Sequence, residues 1–306
     1  MSASHQKTMG KVLHQRAQII AALRRFFLEQ GYLEVETPIR IPAPAPEAHI
    51  DPEPSGPWYL HTSPELCMKR LLAAGFPKIY QICKCFRKNE RGGRHLPEMT
   101  MLEWYTADQD YRHMMVQCES LLTFVLQAMG RPLQLIYRGQ AIDLSLPWSR
   151  LSVTEAFERH GDCSAATALA QHRFDEIMGL QIEPQLGRDR PTLLYDYPAP
   201  CGALARLKPG QSDIAERFEL YIGGLELCNG FSELTDPQEQ RRRFQDEVGR
   251  RLAQGKTAAP LPEPFLSALA YMPPATGNAL GVDRLVMLLT GAETIDQVVA
   301  FTPEDL

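Results

Sequence analysis

The sequence predicts an α+β fold, an antiparallel sheet flanked by helices, and three observations lead there. Apolar residues recur at helical spacing in separate blocks. Between the blocks, short alternating or apolar runs read as strands that return on themselves as hairpins. Helix and strand do not alternate as they would in a chain of βαβ units.

The elements follow in order. Val12, Ile19, Ile20, Leu23, Phe26 and Phe27 form one face of an amphipathic helix that stops at Gly31. Tyr32 to Pro38 alternates as a strand and ends at a proline. Pro42, Pro44, Pro46, Pro52, Pro54 and Pro57 exclude a helix or central strand, so residues 42–57 read as an extended, partly mobile loop. A helix opens at Thr62-Ser63-Pro64-Glu65 with the proline just inside it. Residues 79–86 and 99–105 read as antiparallel strands around a charged loop, Arg87 to Glu98. Met114, Cys118, Leu121, Leu122, Val125 and Met129 mark another helix. Residues 151–190 are more polar and read as a small helical insertion. Strands resume at 191–197 and within 217–234, and Gly277 to Gly281 leads into a helix over Val282 to Thr290.

At 306 residues the chain can bury a large core without disulfide or metal staples. Its 44% hydrophobic and 23% charged composition excludes wholesale disorder. A net charge of −5 argues against a protein whose main task is gripping nucleic-acid backbone. No run approaches the roughly 20 apolar residues of a membrane span, and Met1 to Arg16 has no apolar core of a signal peptide. The 7 cysteines are scattered, with Cys83 and Cys85 closest and no C-x-x-C. C-x-C alone is a weak metal signal, and the cysteines read as free thiols in a reducing cytoplasm.

Three constellations can carry chemistry. Glu219, Glu226 and Glu233 surround Gly223-Gly224, which reads as a hairpin turn. The pairing places Glu219 opposite Glu226 on one face, where two like charges call for a cation such as Mg²⁺; two solvated glutamates are the alternative. Arg87, Lys88, Arg91 and Arg94 flank Gly92-Gly93, a pattern suited to phosphate or simply to a solvated face. Arg284 lies in the first turn of an apolar helix, against the helix dipole, with Gly277 and Gly281 allowing close approach of a ligand.

Together these segments resemble the catalytic core of a class II aminoacyl-tRNA synthetase of the lysyl type. The first motif ends in Val35-Glu36-Thr37-Pro38. The second runs from Phe86-Arg87-Lys88-Asn89-Glu90 through Arg94-His95-Leu96-Pro97-Glu98-Met99 to Glu103-Trp104-Tyr105. The third is Ala279-Leu280-Gly281-Val282-Asp283-Arg284-Leu285, and Glu226 to Leu234 matches the lysyl amino-acid pocket. The core begins almost at residue 1, so the expectation is one catalytic domain over 1–306 with no anticodon-binding domain. In this the chain resembles the shortened lysyl-tRNA synthetase paralogues that attach β-lysine to translation elongation factor P.

The resemblance implies ATP and Mg²⁺ as cofactors, β-lysine as substrate and elongation factor P as protein acceptor. It further implies a cytoplasmic homodimer joined through the first motif, with no nucleic acid or membrane partner. An amide-forming, AMP-releasing ligase would use Arg87 on the α-phosphate and Arg284 on the adenine and γ-phosphate. His95, Met99, Leu227 and Gly281 would complete the ATP site, with either Asn89 or Glu90 in the place of the second motif's glutamate. Glu219 and Glu226 would hold the metal. Ser63, Pro64, Glu65, Glu103, Tyr105, Asn229, Phe231, Glu233 and Ala279 would line the amino-acid pocket. Leu96 and Met99 depart from the usual asparagine and phenylalanine. Ser63 and Ala279 replace an alanine and a glycine of lysyl enzymes, and are expected to bear on the choice between β- and α-lysine. Two other readings stand beside this one. A tRNA-charging enzyme would lean on the Arg241-Arg242-Arg243 and Arg250-Arg251 clusters, which read as a solvated helix face. A non-catalytic regulatory paralogue would be expected to have lost Arg87, a metal glutamate or Arg284, all of which are present.

Overall fold

The computed structural model describes residues 3–202 and 204–306. Helix α1 (Ala3–Glu29) buries Ile19, Leu23, Phe26 and Phe27. Gly31, at φ 74°, then turns the chain in the left-handed region that L side chains resist. The strand expected over 32–38 shrinks to β1 (Leu33–Glu34). Val35 N still donates to Tyr80 O at 2.9 Å, but Pro38 has no N–H with which to continue a ladder.

The proline-rich segment, expected as an extended loop, is tied to the rest of the chain at several points. Its ends form a small antiparallel sheet of β2 (Arg40–Ile41), β3 (Pro54–Ser55) and β4 (Trp58–Leu60). Between them, Arg251 donates to Glu47 O (2.7 Å), Ile50 O (2.8 Å) and Asp51 Oδ1 (2.9 Å), and Lys256 to Ala48 O (2.9 Å). Prolines leave carbonyls without ladder partners, and these distant cations satisfy them.

Helix α2 (Glu65–Ala73) has Pro64 at its N-cap, one residue outside rather than inside. Strands β5 (Lys78–Phe86) and β6 (Glu98–Ala107) pair antiparallel from Lys78↔Thr106 to Phe86↔Glu98. Helix α3 (Tyr111–Ala128) starts on Asp110, whose carboxylate caps the N–H groups of Arg112 and His113. A side hairpin, β7 (Gln134–Tyr137) and β8 (Gln140–Asp143), precedes β9 (Ser149–Ser152). Helices α4 (Val153–His160), α5 (Ala165–Ala170) and α6 (Phe174–Ile177) run into a π turn and a 3-10 turn ending at Gln185. Their apolar cluster of Val153, Phe157, Phe174 and Ile177 takes in Leu194 and Tyr221 from the sheet edge. The rest is β10 (Thr192–Pro198), β11 (Leu207–Lys208), β12 (Gln211–Ile222), β13 (Leu225–Ser232), α7 (Pro237–Ala253), α8 (Glu263–Ala268), β14 (Ala275–Gly281) and α9 (Val282–Thr290).

The main sheet runs β1-β5-β6-β14-β13-β12-β10-β9, with β11 beside β12. It is mixed rather than purely antiparallel. β1 is parallel to β5 and β9 is parallel to β10, both at the edges. Each parallel pair is joined through helices, as parallel pairing requires. The segment Gly277 to Gly281 lies inside central strand β14, between β6 and β13.

Pleating splits the central strands into two faces. Leu102, Trp104, Phe218, Leu220, Cys228 and Leu280 join the core under α1, α3 and α9. Phe27 stacks on Tyr80 with ring centroids 4.6 Å apart and lies 5.5 Å from the Trp104 ring. Phe26 and Phe27 therefore belong to the intramolecular core. The opposite face carries the polar residues of the site. Removing the Phe27 ring is expected to cost about 3–5 kcal/mol of stability, read from urea unfolding of a Phe27→Ala protein. A loss under about 1 kcal/mol would show that this contact is not structural.

Candidate active site

One row of directly paired residues crosses five strands of the open face: Glu219, Asn229, Ala279, Glu103 and Gln81. The next row runs Arg217, Phe231, Gly277, Tyr105 and Ile79. Most of the expected amino-acid pocket is thus a single patch of sheet.

The hairpin register differs from the expected pairing. Gly223 and Gly224 both have positive φ (62° and 69°), so the two-residue loop centres on them and Glu226 pairs with Tyr221. A bulge then shifts the ladder so that Glu219 faces Asn229. Glu219 and Glu226 are therefore diagonal rather than opposite, yet they share a face through Tyr221. The compensating cations are arginines of the chain itself. Arg217 pairs with Glu219 at 2.5 Å and Arg284 with Glu226 at 3.1 Å. The hydroxyls of Tyr197 and Tyr221 each donate to Glu219 Oε2 at 2.6 Å. Burial still raises the Glu219 pKa, against the pull of Arg217. Burial would raise Glu226 as well, but Arg284 outweighs it and the carboxyl is held low.

At the other end of the row, Ser63 Oγ donates to Glu103 Oε1 (2.6 Å) and Tyr105 Oη to Oε2 (2.8 Å). Burial, reinforced by the charge of Glu65, pushes Glu103 up to about 8. Ser63 also accepts from Glu65 N at 3.0 Å, which with Pro64 sets the start of α2. Lys69, one turn on, was not among the expected site residues. It is buried, pairs with Glu65 at 2.5 Å and with Glu233, and its ammonium sits 5.1 Å from the Phe231 ring centroid. Burial would depress it, but Glu233 and Glu65 prevail and keep it protonated. Three carboxylates (Glu65, Glu103, Glu233) less one ammonium leave two negative charges when all are ionised. Gly277 is required here, since a Cβ would stand 2.3 Å from both Glu233 Oε1 and the Tyr105 ring.

The arginines gather beside this patch. Arg284 Nη1 donates to Glu226 O at 2.9 Å, and Nη2 lies 2.5 Å from His95 Nε2. Desolvation and the Arg284 charge lower His95, so its ring is neutral at pH 7 and accepts from the guanidinium. Asp283 positions this turn. It accepts from Thr100 N (2.7 Å) and pairs with Arg16 of α1 (2.6 Å). Gly281 would tolerate a Cβ, the nearest atoms being the Arg284 side chain at 3.6 Å and beyond, so the space above it is open. The Nε of Arg87 is buried without a hydrogen-bond partner among the described residues.

Of the two candidates for the second-motif glutamate, Glu90 lies 3.8 Å from Arg87. Asn89, at φ 65°, is exposed and lines a surface pocket with Pro44, Pro52 and Tyr59, away from the cluster. Leu227 also departs from expectation. Its side chain is buried in the helix-side core, so only its backbone is near the site. Met99 stands on the open face, opposite Cys85. Glu183, which no motif flagged, is a third carboxylate near Glu219 and Glu226. Burial and those two charges push it up to about 6.

The sequence profile of the family described as tRNA synthetases class II (D, K and N) matches residues 1–305. The chain belongs to this class II family. Among its relatives, the elongation factor P–(R)-β-lysine ligase of Klebsiella pneumoniae subsp. pneumoniae is 41% identical over 95% of this chain and 94% of its own length. The ligase of the same name from Erwinia tasmaniensis is 42% identical over the same shares, and that of Salmonella enteritidis 40%. In class II terms, the second motif supplies β5, β6 and the Arg87 loop, and the third supplies β14 and α9 with Arg284. Lys69 and Glu183 escaped sequence reasoning because each is an ordinary polar residue in a helix or turn. Only tertiary contacts disclose them.

The raised pKa of Glu103 gives a pH signature. A bound ammonium favours the carboxylate, so binding a diamino acid releases the proton of Glu103. Affinity should weaken as pH falls below 8, by roughly tenfold per unit, while a substrate amine stays charged up to about 10. Burial pushes Glu233 up to about 8 as well, so KM for the amino acid in ATP–pyrophosphate exchange should rise as pH falls through this range, and Glu103→Gln should make the slope shallower. A KM independent of pH in the unaltered chain would contradict the assignment.

Proposed function

We propose that the chain activates β-lysine with ATP as an aminoacyl-adenylate and transfers the aminoacyl group to a lysine side chain of elongation factor P. The observation that carries this reading is the near full-length similarity to ligases named for that reaction. The pocket supports it, because its surplus of two carboxylates suits a substrate with two ammonium groups.

The substrate carboxylate attacks the α-phosphorus, the new O–P bond forms, and the α–β bridging bond breaks to release pyrophosphate. The Nε of Arg87, without a partner among the described residues, is a donor for an α-phosphate oxygen. Arg284, which contacts Glu226 and His95, would turn from them towards the nucleotide. Glu226, with one oxygen paired and the other without a hydrogen bond among the described residues, fits as a Mg²⁺ ligand. Glu219 and Glu183 stand beside it. Mg²⁺ bound there would offset phosphate charge. In the second half-reaction, the neutral ε-amine of the acceptor attacks the adenylate carbonyl. The amide forms, AMP leaves with the bonding pair, and the amine loses a proton. Positioning and electrostatics suffice, and no protein nucleophile is needed.

The basic clusters of α7 do not favour tRNA. Arg241 pairs with Glu263, Arg242 with Glu239 and Asp246, Arg243 with Glu239, and Arg250 with Glu247. Arg251 is buried on the proline-rich segment. The homodimer implied by the resemblance has support in exposed Leu28, Leu33 and Ile39 around the first motif. Exposed Tyr271 shares a pocket with Thr37 and Pro38 there.

The chain should exchange pyrophosphate with β-lysine, label elongation factor P and leave tRNA unlabelled. Glu226→Gln should slow exchange by at least ~100-fold with the fold intact. Labelled tRNA with an untouched factor would overturn the reading. Light scattering should return a dimer mass, whereas a monomer mass at every concentration would remove the homodimer.

A further inference from the structure

Three donors that the proposed reaction leaves idle converge beside the amino-acid pocket. His61 Nε2 lies 3.9 Å from Cys83 Sγ and 3.9 Å from Cys85 Sγ, and the sulfurs are 4.0 Å apart. The two-residue period of β5 puts both thiols on one face, the face of Gln81 and Glu103. His61 is locked over that strand by its backbone. Its N–H donates to Ile39 O at 2.8 Å, and its carbonyl accepts from Phe86 N at 3.0 Å. His61 and Cys85 are buried and Cys83 is half-buried. Contacts of this length are poor hydrogen bonds.

We propose that His61, Cys83 and Cys85 bind one Zn²⁺, with a water in the fourth position. Tetrahedral Zn²⁺ at its usual bond lengths would set the sulfurs about 3.8 Å apart and each about 3.6 Å from the nitrogen. The triangle needs to contract by only a few tenths of an ångström. Two thiolates cancel the charge of the dication, so the complex is neutral, as a buried site demands. Thiolate and imidazole select Zn²⁺ over Mg²⁺, which keeps this site chemically distinct from the carboxylates on β12 and β13. A second observation points the same way. Gln81, two residues before Cys83 on the same face of β5, is 2% exposed, and its Oε1 has no hydrogen-bond partner among the described residues. That oxygen can accept from the metal-bound water.

The proton balance is explicit. His61 Nε2 donates to Lys84 O at 2.7 Å. On binding, the ring proton moves to Nδ1, both thiol protons leave to solvent, and Nε2 and the two sulfurs take up the metal. The site would clamp the His61 segment onto β5. Ser63, two residues on, holds Glu103, so the clamp also steadies the amino-acid pocket.

The test uses the full chain, reduced and stripped with a chelator, and the metal alone. Zn²⁺ should bind at one equivalent, and Co²⁺ in its place should show sulfur-to-cobalt charge-transfer absorption. Cys85→Ser and Cys83→Ser should each lose that absorption and bind Zn²⁺ at least ~100-fold more weakly. Cys118→Ser, a buried thiol paired only with Cys228 and Asn278, should behave as the unaltered chain. Should Cys85→Ser not fold by circular dichroism, the half-buried Cys83→Ser decides. Absence of saturable Zn²⁺ binding, a cobalt spectrum without sulfur bands, or unchanged affinity in a folded Cys83→Ser protein would each overturn the proposal. None of these outcomes depends on β-lysine or elongation factor P, so the site and the proposed reaction fail separately.

Discussion

Everything in this protein depends on one constraint, the two-residue alternation of five adjacent strands, β5, β6, β14, β13 and β12. Successive residues must point to opposite faces. In β6, Leu102 and Trp104 go under the helices while Glu103 and Tyr105 go to the site. In β14, Leu280 goes under and Ala279 and Gly281 stay above. The helices α1, α3 and α9 supply the apolar cover that holds the sheet together, and they leave the other face free for polar chemistry. A slip of one residue in any of these strands would exchange the two sets.

The open face is expensive to maintain because its carboxylates are buried. The fold meets this with cations placed beside them. Lys69 lies between Glu65 and Glu233, Arg217 sits on Glu219, and Arg284 sits on Glu226. These pairs differ in their availability. Glu219 is saturated by Arg217 and two tyrosine hydroxyls, so it is the rigid end of the row. Arg284 and Glu226 are only partly buried and can part when a phosphate competes for the guanidinium. Glu103 is raised chiefly by burial and by the charge of Glu65, and its hydrogen bonds come from the hydroxyls of Ser63 and Tyr105.

The cysteine-histidine triangle belongs to the same sheet and follows the same alternation. Cys83 and Cys85 occupy the open face of β5 in series with Gln81, next to the row that carries Glu103. A soft donor set and a hard carboxylate set can therefore lie on one sheet without competing for the same cation.

Periodicity and composition alone were enough for the helices α1, α3 and α9, the β5–β6 pair and the α+β class, because local apolar spacing dictates these. The resemblance to the lysyl class II core named residues of the open face and its margin, from Glu103 and Tyr105 to Asn229 and Glu233. Sequence could not place Glu219 against Glu226, since the turn on Gly223-Gly224 and the bulge behind it are settled by packing of the sheet. It left Asn89 and Glu90 both open, since the positive φ of Asn89 and the salt bridge of Glu90 to Arg87 arise only in the folded chain. Equally, it could not show that the side chain of Leu227 turns to the helix side together with that of Cys228, because the bulge that leaves Leu227 unpaired interrupts the alternation there. Nor could it show that the proline-rich segment is held by Arg251, 200 residues away from Asp51. Lys69, Glu183 and the meeting of His61 with Cys83 and Cys85 are likewise contacts between separated elements. Local pattern determined which elements form, and long-range packing determined which charges and donors meet, because neither desolvation nor a ligand triangle exists until the chain has closed around it.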